Sequence, residues 1–450
     1  MIETFRNAFK VKEVRNKILL TILLVFIYRL GCFIPVPGIN IDVISFGEGT
    51  LFSIMNAITG SALSNGTLFA VGISPYINAS IIMQLLAYAI PALERMSKEG
   101  DEGKKKIEKI TRYVTLVLAI VNAIAVMVTF DNASTSTAQF IDVNMIGANV
   151  TLPKWIVFSF STIILVAGSM LTMWIGERIT EYGVSNGISM LIFVGILSTA
   201  GTSILSVFGN VATSGWTTGG GWEVIGFILV VIFIFAFIVW VDGAERRVKI
   251  QYAKQIKGNK MYGGQSTYIP VRVNASGVLP LIFAFAILSF PSMLFQTFWP
   301  DTPFTTWWLT YMTSTSTGSA SDWVGTLVYT VFLAVFIFGF AYFYSQISFN
   351  PIEISKNLQQ NGGFIPGIRP GRETSEYLQR VVARITLWGA VFLAVIALVP
   401  SLIFGIVTSN SSLLNAFSST GMLIVVSVAL EFNKSLENQI MMRHYKGFLK

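Results

Sequence analysis

One cysteine and one histidine occur in 450 residues, and charged side chains make up only 12% of the chain. With Cys32 alone, no intramolecular disulfide can form. The lone His444 lies in the C-terminal tail, and almost no ionisable group falls in the middle of an apolar stretch. That set serves a proton-coupled transporter or a metal carrier poorly. No nucleophile triad, zinc-ligand spacing or carboxylate pair presents itself, so no enzyme and no cofactor is expected. Gly100-Asp101-Glu102-Gly103-Lys104-Lys105 looks like a phosphate loop, but its spacing is wrong and the Ser/Thr is missing. It reads as a solvated turn, and any ATP is spent by a partner.

What fills the chain instead is apolar. Hydrophobic residues make up 53% of it and mean hydropathy is +0.66, which excludes an ordinary soluble domain. A span needs roughly 20 apolar residues to cross about 30 Å of hydrocarbon. Ten such stretches are read near 18–36, 75–91, 112–130, 154–174, 187–206, 223–241, 272–296, 323–345, 383–405 and 412–431. Alternate polar segments collect 29 of the 31 lysines and arginines, leaving out only Arg29 and Lys154. Basic residues stay where translocation does not drag them, so both termini are expected in the cytoplasm. The net charge of +8 is this bias summed over loops. It leaves lipid headgroups and ribosomal RNA as acidic partners, with no basic soluble domain for other nucleic acid. The N-terminus imitates a signal peptide, but Ile34-Pro35-Val36-Pro37 follows where a small-residue cleavage site belongs.

Five spans precede the loop near residue 210 and five follow it. An odd number per half makes the second half run the opposite way, the arithmetic of an inverted repeat. The halves are taken as 1–210 and 211–450, the latter with polar loops at 242–271 and 346–382. Span two is short. Ser74 suits an N-cap, Pro75 the first helical position, and Pro91 limits the far end. About 16 residues at 1.5 Å each fall short of the hydrocarbon thickness, so the preceding chain must dip inward. That chain, 45–71, is rich in Gly, Ser, Ala and Asn and has no Lys or Arg, and residues 51–58 suit a short amphipathic helix. Two readings stand: a loop resting on headgroups, or a re-entrant stopper whose backbone is satisfied by protein or water.

Four stretches carry a resemblance. They are Gly72-Ile73-Ser74-Pro75-Tyr76-Ile77-Asn78-Ala79-Ser80-Ile81, Trp174-Ile175-Gly176-Glu177-Arg178-Ile179-Thr180-Glu181, Gly187-Ile188-Ser189, and Phe364-Ile365-Pro366-Gly367-Ile368-Arg369-Pro370-Gly371. In this order and at these places among the spans, the chain resembles the bacterial SecY family, the central channel subunit of the Sec preprotein translocase. Asn78 departs from the Ser more usual there.

The resemblance implies an all-α polytopic membrane protein: ten transmembrane helices in two five-helix inverted pseudo-repeats around a central hourglass pore. It implies a pore ring of Ile77, Ile81, Ile188, Ile192, Ile282 and Ile424. Independently, 77/81 and 188/192 are spaced to share a helix face. An aliphatic waist gates by dewetting and offers a sliding chain no hydrogen-bond partner. The resemblance further implies a plug across Gly47–Gly66, including Leu51, Ile54 and Ile58. It places a lateral gate between spans two and seven, where Ser80, Gln84 and Asn274 would sit. Motor and ribosome docking would fall on Arg246, Arg247, Lys249 and Arg369, the last held in a Gly-Ile-Arg-Pro-Gly turn. Expected partners are SecE, SecG, the SecA motor, a translating ribosome, signal sequences with their preproteins, and lipid. The expected location is the bacterial cytoplasmic membrane. The rival readings are a secondary transporter, which needs charged or chelating groups at mid-membrane, and a scaffold, which has no need of a short second helix.

Overall fold

The structure is a computed structural model that describes residues 2–40, 55–56, 58–132, 140–141, 153–214, 221–252, 255–257, 260–262, 266–273, 277, 279–300, 302–312, 322–407 and 419–447. In chain order the helices are α1 (Ile2–Lys10), α2 (Lys12–Gly31), α3 (Ser74–Ala89), α4 (Pro91–Lys98), α5 (Asp101–Asn132), α6 (Lys154–Tyr182), α7 (Gly187–Ser214) and α8 (Gly221–Asp242). Four strands follow, β1 (Glu245–Tyr252), β2 (Gln255–Lys257), β3 (Lys260–Tyr262) and β4 (Ser266–Arg272). Then come α9 (Leu279–Phe298), α10 (Pro303–Met312), α11 (Asp322–Ser348), α12 (Pro351–Gln360), β5 (Gly363–Phe364), α13 (Arg372–Val407) and α14 (Ser419–Gly447).

Each of the ten expected spans has a helix at its place: α2, α3, α5, α6, α7, α8, α9, α11, α13 and α14. Among the described residues, six helices are long and apolar enough to cross a membrane by themselves. These are α5, α6, α7, α9, α11 and α13, which makes the protein multi-pass. The other four fall short for visible reasons. The basic residues Arg15, Lys17 and Arg29 interrupt α2, and α3 has only 16 residues. The described apolar part of α8 is Ile228–Asp242, and the expected start of span ten lies outside the described residues.

Several boundaries move. The polar run from Asp101 is helical, so α5 begins there and the expected turn shrinks to Glu99 and Gly100. Asp101 and Glu102 complement the positive end of that helix. Glu177, Arg178 and Glu181 stand on the last turns of α6 instead of in a turn after it. Span seven starts at Leu279 and not near 272, because residues up to Arg272 are drawn into β4. Ser74 is the first helical residue of α3; Ile73 occupies the cap, without a side-chain bond, and Pro75 sits in the first turn. At the other end, Ile90 is extended, as a residue before proline prefers, and the chain turns by 104° into α4.

The polar loops before α9 and before α13 form one module. Strands order as β4-β1-β5, with β1 antiparallel to both neighbours; Gln251 pairs Phe364 and Tyr252 pairs Gly363. Beneath the sheet Val248, Val271 and Ile365 pack on Leu378, Val381, Val382 and Ile385 of α13. The membrane core is a separate, larger cluster fed by α2, α3, α6, α7, α8, α9, α11, α13 and α14.

Candidate functional site

Three regions correspond to the expected site, and they differ in how much of each is described. In the first, Ile81, Ile192 and Ile424 are buried in the central core, while Ile77, Ile188 and Ile282 are partly buried against it. They come from α3, α7, α9 and α14, helices from both ends of the chain. Helix α3 packs on α9, and α7 on α14. All six side chains are aliphatic and carry no donor, acceptor or charge. Gly176 of α6 leaves room for Ile188; a Cβ there would stand 3.3 Å from Ile188 Cγ1.

In the second, residues 60–73 run as irregular backbone packed among the helices. Thr59, Ala62, Leu63, Thr67, Phe69, Ala70 and Val71 are buried. Bonds from protein replace the missing ladder, as membrane depth requires. Val36 N–H donates to the Gly66 carbonyl and Leu68 N–H to that of Ile34, both at 2.9 Å. Ser169 Oγ donates to the Gly72 carbonyl at 3.0 Å. The backbone approaches two helices so closely that only glycine fits. A Cβ on Gly195 of α7 would lie 2.0 Å from the Ile58 carbonyl oxygen, and one on Gly168 of α6 1.9 Å from that of Leu68. Arg29, one of the two cations outside the charge pattern, reaches this segment. Its guanidinium donates to the Gly60 carbonyl at 3.4 Å and to Ser198 Oγ of α7 at 2.5 Å. The other, Lys154, pairs with Asp131 at 2.8 Å. Ile58 packs partly buried against the core, and Gly66 has φ +52°. Gly47, Leu51 and Ile54 lie outside the described residues.

Third is the seam between α3 and α9. Gln84 Nε2 donates to Ser80 Oγ one turn earlier at 3.0 Å. Its Oε1 accepts from the Tyr344 hydroxyl of α11 at 2.9 Å. A further bond joins Thr129 of α5 to Thr297 of α9 at 3.0 Å. Asn274 lies outside the described residues. Tyr344, Thr129 and Thr297 were not singled out from sequence. A tyrosine in an apolar helix needs a partner for its hydroxyl, which is the one signal that points to Tyr344.

Three of the basic residues expected to dock partners, Arg246, Arg247 and Lys249, lie on β1 of the sheet. In β1, Arg247 and Lys249 share the solvent face, and across the register Tyr268, Pro270 and Arg272 of β4 extend it. Arg246 alternates to the other face, though it remains exposed at the strand end. Arg247 Nε is engaged by Glu245 at 2.9 Å. Arg369 is exposed on the turn after β5, with Gly367 at φ +83° and Gly371 at φ +103°. Thr374 Oγ1 donates to the Arg369 carbonyl at 2.8 Å, and Ser355 Oγ to that of Gly371 at 2.6 Å. The turn is pinned from two helices, leaving the guanidinium free to face outward.

A core fed by helices from both halves of the chain, with an irregular segment buried against it, defines a multi-pass helical membrane protein. The comparisons agree. A family model for SecY matches residues 67–433. The chain belongs to the SecY family. The protein translocase subunit SecY of Thermotoga maritima is 39% identical over 463 residues, covering 100% of this chain and 98% of that protein. A solved structure of a protein-conducting channel superposes with a TM-score of 0.68 at 17% identity, covering 94% of this chain and 91% of its own. Sec61 in the canine ribosome-channel complex gives 0.65 at 17% identity, with coverages of 94% and 91%.

Proposed function

We propose that this chain is the protein-conducting subunit of a bacterial Sec translocase. It moves unfolded secretory polypeptide across the cytoplasmic membrane and releases transmembrane segments sideways into lipid. Family membership supports the first statement, and one observation carries the mechanism. An irregular segment is buried beside a centre made of isoleucine from α3, α7, α9 and α14.

The chemistry suits the task. Ile77, Ile81, Ile188, Ile192, Ile282 and Ile424 form the pore ring, which a chain of any sequence passes without being held, while a narrow dry constriction resists ions. Residues 47–66, continued by the buried stretch to 71, are the plug. The gate opens between α3 and α9, beside Ser80 and Gln84, and Asn274 is assigned to it from sequence. An apolar segment leaves there because burial of its surface in lipid is favourable. The two halves, 1–210 and 211–450, meet along that seam.

On the cytoplasmic side, the face holding Arg247, Lys249 and Arg272, with Arg246 and Arg369 beside it, receives the SecA motor or a ribosome. Arginine supplies bidentate contacts to carboxylate and phosphate. The canine relative occupies a ribosome complex. SecE and SecG complete the membrane assembly, and both termini are cytoplasmic by the distribution of basic residues.

The test is a secreted precursor stalled midway, with photoreactive groups in place of Ile77, Ile188 and Ile282. Crosslinks from all three to the precursor are expected. Crosslinks to lipid alone would overturn the reading.

A further inference from the structure

From the last turn of α9 onward the chain carries an unusual density of aromatic side chains: Phe295, Phe298, Trp299, Phe304, Trp307, Trp308 and Tyr311. Helix α10 holds four of them and not one charged residue. Its surface divides into three faces. Thr305, Trp308 and Met312, at i, i+3 and i+7, turn inward. Thr305 and Met312 are buried, Thr305 Oγ1 donates to the Trp299 carbonyl at 2.6 Å, and Trp308 Nε1 donates to Ser292 Oγ of α9 at 2.8 Å. Thr306 and Thr310 form a second, exposed polar face. Phe304, Trp307 and Tyr311, again at i, i+3 and i+7, form the third; Phe304 is 53% exposed and Trp307 47%. Trp299 and Phe298, at 57% and 46%, continue this aromatic surface at the end of α9.

Depth identifies what covers it. Helix α9 has 20 residues, which at about 1.5 Å each span about 30 Å, the hydrocarbon thickness. The polar sheet lies before its first turn, so its last turn reaches the opposite headgroup layer. A helix anchored there by one face, with threonine on a second and Phe-Trp-Tyr on a third, matches the layer between water and acyl chains. Tryptophan and tyrosine collect in that layer because one part of the ring is apolar and the other hydrogen-bonds.

We propose that α10 is a membrane-surface anchor whose Phe304-Trp307-Tyr311 face seats among the phospholipid glycerol and carbonyl groups, on the side opposite the sheet. With no charge on the helix, recognition depends on the apolar–polar boundary and not on anionic lipid. The proposal rests on the membrane-spanning fold and is independent of whether polypeptide passes through the centre.

The test uses the full chain, with its translocase partners, in lipid nanodiscs carrying Cys32→Ala. An environment-sensitive fluorophore is attached to Trp307→Cys or Phe304→Cys, and to Thr306→Cys or Thr310→Cys for comparison. At 307 and 304, nitroxide lipids labelled near the headgroup should quench several-fold more strongly than lipids labelled at the chain end. At 306 and 310, aqueous iodide should dominate. Phosphatidylcholine and phosphatidylglycerol discs should give the same pattern. Iodide access at 307 equal to that at 306 would overturn the proposal. So would shielding of 307 from both lipid and water, which would mean a protein covers the face, or a requirement for anionic lipid. Two sites per face keep the comparison available if one variant fails to assemble.

Discussion

The Tyr344 hydroxyl of α11 donates to Gln84 Oε1 of α3 across 2.9 Å, joining helices 260 residues apart in the chain. The same amide donates through Nε2 to Ser80. Gln84 thus has both ends of its side chain satisfied, and parting α3 from α11 strands its carbonyl oxygen. An interhelical bond of this kind is worth about 0.6 kcal/mol in a membrane, and up to roughly 1.7. That is strong enough to favour contact between α3 and α11 and weak enough to be broken without unfolding either helix.

Tyr344→Phe and Gln84→Leu should each loosen the closed state, and together they should do little more than either alone. A double-mutant cycle on thermal unfolding of the reconstituted protein should return a coupling near 0.6 kcal/mol. Strict additivity would mean that the bond contributes nothing to closure.

Polarity at the isoleucine centre should act differently. Ile81→Asn or Ile424→Asn places an amide where the surroundings offer aliphatic carbon, so water enters with it. Ion leak through proteoliposomes should rise, and precursors with defective signal sequences should be exported. Unchanged leak and unchanged signal selectivity in both variants would remove these residues from the ring.

Reversal of charge at Arg369 tests the docking face. The turn is held by Thr374 and Ser355 through its backbone, so Arg369→Glu should leave the sheet and the assembly intact. Motor-driven export should fall by an order of magnitude or more while the complex still purifies whole. Normal export would free Arg369 of that role.

Much of this was legible before the fold was known, and the exceptions have physical causes. Span positions and the short α3 follow from hydropathy and from Pro75 and Pro91, because both are local properties. Hydropathy registers only the greasy part of a helix, so the polar start of α5 at Asp101 and the polar end of α6 at Tyr182 escaped it. The sheet was missed although Arg247-Val248-Lys249-Ile250 alternates at the strand period. Its third strand has two residues, Gly363 and Phe364, too few for any periodicity. The bond from Tyr344 to Gln84 joins positions that no spacing relates. Arg29 stood out as an exception to the charge pattern, but its role in holding Gly60 required the fold.

The lone cysteine offers a native reporter for the buried segment. Cys32 is buried, and its Sγ lies 3.8 Å from the Thr59 carbonyl. Gly195 is what lets that segment close: an alanine methyl there would stand 2.0 Å from the Ile58 oxygen, a backbone atom that cannot swing aside. Gly195→Ala should therefore push residues 58–60 off α7 at a cost of roughly 1–3 kcal/mol. Arg29→Gln should do so more mildly, by weakening the bonds to Gly60 and Ser198. In both, a small aqueous maleimide should label Cys32 faster than in the parent protein, with Gly195→Ala the faster of the two. A rate equal to the parent's in both variants, with assembly intact, would show that neither the glycine nor the guanidinium holds the segment in place.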